Sequence, residues 1–187
     1  MFLVIYGLGL RRGEVLGLRW RDVRVPGDPP TVSVERAFVR GEDGPPKSMT
    51  SRRTLVLDEF LARELLDHWQ RSAYQGADER GVRAPREGTA LDPKQYATTF
   101  RAALTKAGIT DYVRPFHDGR HSAITNDAAA GNSGLAVMKR AGHSDFRVTQ
   151  QYLDLAGVDF AEEAERAAAR AFAHVPRAQV RAKVEDE

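Results

Sequence analysis

Apolar positions recur at helical spacing near both ends of this chain, and between them lies a short stretch where apolar and polar residues alternate. The first 20 residues read as helix, turn, helix. Gly7 and Gly9 break the first pattern, and Glu14, Val15, Leu18 and Trp20 resume a helical spacing that ends near Asp22. Thr31 to Val39 alternates and is rich in β-branched residues, which predicts a strand. Gly41 to Pro46 forms a turn cluster, and Arg53 to Leu57 reads as the returning strand of a hairpin whose long tip carries Lys47. Asp58 is placed to cap a helix through Phe60, Leu61, Leu65, Leu66 and Trp69.

Residues 75–90 are polar, contain Gly and Pro, and predict a surface loop. A helix is expected from Pro93 to about Ala107, with Gly108 as its stop. Three short helices then follow over about 118–130, 134–141 and 145–155, separated by Gly131 and Gly142. An Ala/Glu-rich helix is expected over 158–173, ended by Pro176 and followed by a charged tail. No internal repeat is visible. The expected fold class is mainly α with a small antiparallel β-sheet (α+β).

With 187 residues, 42% of them hydrophobic, the chain is long enough for one domain with its own core. Its longest uninterrupted apolar run, Met1 to Tyr6, is far shorter than the roughly 20 residues that span a bilayer. The run has no basic lead-in and no small-residue cleavage site, so it does not read as a signal peptide. The absence of cysteine removes disulfides, thiol catalysis and Cys-based zinc sites, and a cytoplasmic setting is the expectation. The 28 basic residues less the 26 acidic ones leave +2, yet 23 of the basic residues are arginine. Arginine forks onto phosphate or carboxylate with two parallel hydrogen bonds, although a codon bias towards arginine is the simpler explanation of the excess. Residues 101–150 hold 7 basic and 4 acidic groups, so a local basic face lies within a nearly neutral chain.

Four short features could carry chemistry: Gly9-Leu-Arg11-Arg-Gly-Glu14, Lys47 on the hairpin, His117-Asp-Gly-Arg120-His121, and Gly142-His143-Ser with Tyr152 nine residues after His143. Taken singly each is weak, because Arg11 reads as a solvated surface group and Arg120 as a partner of Asp118 or Asp127. His117 and His121 would share a helix face, and His143 could add a third nitrogen to a metal site. A zinc hydrolase site also needs a carboxylate with a defined task, and none stands at the required spacing.

Read in order, the set Arg, Lys, His-x-x-Arg, His, Tyr resembles the catalytic domain of the tyrosine recombinases, the phage integrase family. Gly9-Leu-Arg11-Arg-Gly-Glu14-Val-Leu-Gly-Leu-Arg-Trp20-Arg-Asp22-Val is similar to that family's first arginine box. Pro46-Lys47-Ser and Ser51-Arg-Arg-Thr-Leu-Val-Leu57 are similar to its lysine hairpin. His117-Asp-Gly-Arg120-His-Ser-Ala and Ala141-Gly-His143-Ser, with Val-Thr-Gln-Gln-Tyr152, are similar to its second and third boxes. The resemblance covers about residues 5–155 and implies metal-free cleavage and rejoining of double-stranded DNA.

In that chemistry Tyr152 is the nucleophile, and Arg11 and Arg120 neutralise the nonbridging phosphate oxygens. His143 donates to the same oxygens, Lys47 protonates the leaving 5′ oxygen, and His117 is the general base near the tyrosine. No cofactor is expected, since neither a nucleotide-binding loop nor a carboxylate cluster is visible. Family resemblance further implies a homo-tetramer on DNA, with a monomer expected in its absence.

By the same resemblance, residues 1–157 form the catalytic domain, and 158–187 are a C-terminal helix and tail available for inter-subunit contact. The family's N-terminal DNA-binding domain is expected to be missing from this chain. Gly119 departs from the family pattern, which has a bulky apolar residue there, and a hole beneath Arg120 is the expectation. The alternatives carried forward are an inactive recombinase remnant that binds DNA or a sister recombinase without cutting, and a type IB topoisomerase.

Overall fold

A computed structural model describes residues 1–46, 51–81 and 92–157, together with a few positions between 165 and 173. Helix α1 (Phe2–Leu8) buries Val4, Ile5 and Leu8 and ends at Gly9 in the left-handed conformation. Gly7 lies inside α1 instead of breaking it. Helix α2 (Arg12–Gly17) starts where the Arg11 amide donates to the Glu14 carboxylate at 2.8 Å. It stops earlier than the spacing predicts. Leu18 is extended, and Trp20–Asp22 form a separate 3₁₀ turn whose Trp20 and Arg21 amides donate to the Glu79 and Ala77 carbonyls. Those long-range partners replace the helical ones.

The predicted hairpin pairing holds, with one break. Strand β2 (Thr31–Val34) lies between β1 (Val23–Arg24) and β5 (Arg53–Val56), both antiparallel to it. Val32 faces Leu55 and Val34 faces Arg53, so β5 turns Arg53 and Leu55 towards the same side. The alternating run does not continue to Val39 as one strand. Ala37–Val39 (β3) leaves the sheet and pairs with Glu42–Gly44 (β4), so part of the expected turn cluster is strand. The chain reverses at Arg40 and Gly41, whose positive φ values suit a two-residue hairpin turn. Lys47 lies outside the described residues.

Asp58 caps α3 (Glu59–Arg71) by accepting from the Leu61 amide at 2.9 Å. Helix α4 (Pro93–Lys106) has Asp92 as its cap and stops before Gly108. The loop expected over 75–90 is described only to Gly81, where it packs on the 3₁₀ turn. The last three helices fall where the glycines predict them: α5 (His117–Ala129), α6 (Gly134–Ala141) and α7 (Phe146–Leu155). The helix expected over 158–173 lies largely outside the described residues. No helix among the described residues is long and apolar enough to cross a membrane.

Two apolar clusters hold these elements. One joins α1, α2, the three-stranded sheet and α3 around Ile5, Leu10, Val15, Val32 and Val34. The other joins α5, α6 and α7 around Ile124, Ala128, Val137 and Leu153. Helix α1 lies directly against α5, and Gly119 permits that approach. A Cβ on Gly119 would sit 2.8 Å from Ile5 Cγ2 and 2.9 Å from Tyr6 Cε2. The hole expected under Arg120 is therefore filled by α1, which corrects the reading of this glycine as a weakness. Although alanine gains roughly 1 kcal/mol of helix propensity, Gly119→Ala should destabilise the chain by about 1–3 kcal/mol through overpacking. A lower urea midpoint would show it, and an unchanged or higher one would count against this packing.

Candidate active site

Four separated segments meet at a cleft of about 570 Å³ lined by Arg11, Ser51, His117, Arg120, His121, His143, Ser144, Val148 and Tyr152. Arg11 comes from the α1–α2 turn, Ser51 from the segment just before β5, His117, Arg120 and His121 from α5, and the rest from the α6–α7 turn and α7. Every sequence-predicted site residue that is described, namely Arg11, His117, Arg120, His143 and Tyr152, faces this space.

The two arginines are held by backbone carbonyls. Arg11 Nη2 donates to Gly142 O at 2.7 Å, and its Nη1 donates to Glu14 Oε1 at 3.0 Å and Ser51 Oγ at 3.4 Å. Arg120 donates to the carbonyls of Gly9 and Ala141 and to His143 Nε2 at 3.0 Å. Burial, with Arg11 alongside, lowers the Arg120 guanidinium to about 10, which leaves it charged at neutral pH. Gly142 is left-handed, and a Cβ there would lie 2.8 Å from Arg53 Nη1 and 3.2 Å from Arg11 Nη1. The missing side chain is what lets both guanidinia reach the α6–α7 turn.

Beneath Arg11 sits a carboxylate that the sequence reading did not single out. Glu14 is 3% exposed and accepts from Arg53 Nη2 at 3.0 Å and Nη1 at 3.2 Å as well as from Arg11. Arg53 also donates to Ser51 O at 2.9 Å and Arg140 O at 2.6 Å, tying β5 to α6. Each of the two left its own signal in the sequence, though neither pointed to the other. Glu14 stands three residues after Arg11, at capping spacing, and Arg53 occupies an inward position of an alternating strand.

Tyr152 lies between two imidazoles, with ring centroids 5.8 Å from His143 and 5.1 Å from His121. Burial raises its phenol above the ordinary value, while Arg120 and Arg11 oppose that rise. His117 does not stack on Tyr152 itself. It stacks on His121 at 4.2 Å and bonds Asp118 through Nδ1 at 2.9 Å, so His121 is the α5 histidine in ring contact with the tyrosine. Asp118 is held well below the ordinary carboxylate range, chiefly by its hydrogen bond from Arg114 and also by His117.

His143 has both ring nitrogens engaged, Nε2 with Arg120 and Nδ1 with Thr149 Oγ1 at 2.9 Å. Burial, and then the charges of Arg120, Arg11 and Arg53, pull it down to about 4. An NMR titration should find its ring carbon protons stationary between about pH 6 and 8, where an unperturbed imidazole ionises near 6.5. A midpoint near 6.5 would refute that environment.

Known proteins resemble the chain both in sequence and in shape. A tyrosine recombinase XerC-like protein of Caldanaerobacter subterraneus is 28% identical over 170 residues, which is 80% of this chain and 43% of the relative. Tyrosine recombinase XerC of Serratia marcescens is 26% identical over 157 residues, covering 83% and 46%. The chain thus spans less than half the length of these relatives. Among solved structures, the Tn1549 transposon integrase in complex with transposon right-end DNA superposes with a TM-score of 0.68 at 18% identity, covering 92% of this chain and 57% of that one. The XerA recombinase superposes at 0.62 with 19% identity, covering 93% and 56%. The model of the phage integrase family matches residues 1–157. On that match over most of its length, this chain belongs to the phage integrase family.

Proposed function

We propose that the chain is the catalytic part of a site-specific recombinase that cuts and rejoins double-stranded DNA through a 3′-phosphotyrosyl link to Tyr152. The observation that carries this reading is the meeting of Arg11, Arg120, His143 and Tyr152, from three separate sequence boxes, in one cleft. An inactive remnant would be expected to have lost members of this set. Two solved relatives in shape, the Tn1549 integrase and the XerH recombinase, are described in complex with DNA.

In this mechanism Tyr152 Oη attacks the scissile phosphorus and forms a P–O bond as the P–O5′ bond breaks. Arg11 and Arg120 fork onto the nonbridging oxygens as negative charge builds, so two fixed cations supply the electrostatic stabilisation. The phenolic proton passes towards the His117–His121 pair, and the 5′ oxygen leaves with a proton from Lys47, the general acid by family resemblance. Attack by a partner strand's 5′ hydroxyl reverses the step and frees Tyr152. Residues 1–157 serve as the catalytic domain and 158–187 as the segment that contacts a neighbour. The assembly is a homo-tetramer on DNA and a monomer without it, in the cytoplasm.

The test is covalent trapping. The chain is incubated at low salt with supercoiled plasmid, because phosphate contacts weaken steeply as salt rises, and then denatured with SDS. Protein should remain on the DNA, with the adduct on the peptide containing Tyr152. An adduct on another residue, or none from folded protein, would overturn the reading.

A further inference from the structure

Thr149 is 0% exposed on α7, three residues before Tyr152, and its hydroxyl is the partner of His143 Nδ1. A guanidinium can only donate. The 3.0 Å contact of Arg120 Nη2 with His143 Nε2 therefore requires a lone pair on Nε2. The ring is then neutral with its hydrogen on Nδ1, and the Thr149 hydroxyl accepts that hydrogen. The position of His143 at about 4 agrees with an uncharged ring.

This arrangement suits the cleft without DNA and must change when a phosphate enters. Arg120 would turn its N–H to a phosphate oxygen, and a lone pair on Nε2 would then face that oxygen and repel it. To donate instead, His143 must carry its hydrogen on Nε2. A neutral ring in that form leaves Nδ1 bare in a buried site, where an unpaired polar atom costs about 1–3 kcal/mol. A carbonyl at this place could serve only the first form, and a carboxylate would hold the ring as a cation. A hydroxyl serves both neutral forms, because it accepts in one rotamer and donates in another.

We propose that Thr149 is a positioning residue that satisfies Nδ1 of His143 in either neutral form and so lets the ring switch from acceptor towards Arg120 to donor towards a phosphate. The proton balance is neutral, since one proton leaves Nδ1 to water, one reaches Nε2 from water, and the hydroxyl rotates from accepting to donating. The role rests on the reading that the cleft receives the scissile phosphate.

Thr149→Val keeps the side-chain shape and removes the hydroxyl, whereas Thr149→Ser keeps the hydroxyl and removes a methyl. Imidazole nitrogen NMR on the DNA-free chain should find His143 as the Nδ1–H tautomer in wild type and in Thr149→Ser. Thr149→Val should keep the Nδ1–H form that Arg120 imposes, with the Nδ1 signal displaced by the loss of its hydrogen bond. Wild type with the hydrogen on Nε2, or a doubly protonated ring at neutral pH, would overturn the proposal. So would a Thr149→Val spectrum matching wild type.

With saturating supercoiled plasmid, Thr149→Val should form the covalent complex about 10- to 100-fold more slowly, the range seen when a metal-bound histidine loses its outer hydrogen-bond partner. Plasmid affinity should be unchanged, and Thr149→Ser should stay within about threefold of wild type. A packing role would give the opposite order, with Thr149→Ser the slower variant. The NMR result is independent of cleavage. Failure of wild type to form any adduct would count against the recombinase reading and leave the tautomer assignment standing.

Discussion

Tyr152→Phe is expected to abolish covalent retention on DNA, a loss of about 10⁴-fold or more, because it removes the phenolic oxygen held between His121 and His143 and leaves a ring with no atom to attack phosphorus. The fold should be nearly untouched. Phenylalanine keeps the ring contacts with His121 and His143 and stays within the cluster formed with Ile124, Ala128 and Leu153. Stability should move by less than about 1 kcal/mol, and plasmid binding at low salt should persist. SDS-resistant protein on plasmid, measured beside the urea midpoint of both proteins, checks the two halves together. Covalent product from the phenylalanine variant at the wild-type level would remove Tyr152 from its role.

The second large effect is on stability. Glu14→Gln should destabilise the chain by about 3–5 kcal/mol, because it leaves the charge of Arg53 buried without its counter-ion. The Arg53 side chain is only 7% exposed and the Glu14 side chain 2%. Combining Glu14→Gln with Arg53→Met should recover part of the loss, since the second change removes the stranded charge. Equal or additive losses in urea denaturation would show that the pair is not coupled.

The pH dependence of this carboxylate has a definite sign. Burial alone would raise Glu14, but the hydrogen bonds and charge of Arg53, aided by Arg11, hold it below its ordinary value. Its contribution is therefore complete above the unfolded value near 4.3 and is lost as pH falls through the lower folded value. Glu14→Gln should flatten that part of the acid-unfolding curve.

Much of the C-terminal half was legible in the sequence because local signals and tertiary packing agree there. Gly131 and Gly142 take positive φ, and Ser133 and Asp145 cap the helices that follow. The early end of α2 was hidden, since the partners of Trp20 and Arg21 are carbonyls near residue 78, far along the chain. The same holds for the alternating run that divides into β2 and β3. Its periodicity cannot say which sheet each half joins.

The site divides in a similar way. Arg11, Arg120, His143 and Tyr152 could be found because their order and intervals survive in a linear text. Glu14 and Arg53, 39 residues apart, could not be paired from the text alone. Thr149 stands inside the third box, but its spacing does not say that its hydroxyl meets His143, and Gly119 was misjudged because helix propensity carries no information about a neighbouring helix. His121 was weighed as a metal ligand instead of as the ring beside Tyr152.

The carbonyl contacts of the two arginines also bear on how the chain folds. Arg11 reaches Gly142 across 131 residues, and Arg120 reaches Gly9 across 111. Contacts of such high order close only after the intervening loops have given up their entropy. The cleft is thus expected to close only when the N-terminal cluster and the α5–α7 cluster dock. A chain that has completed only one half holds Arg11 and Tyr152 on unconnected pieces, and the cleft between them does not yet exist.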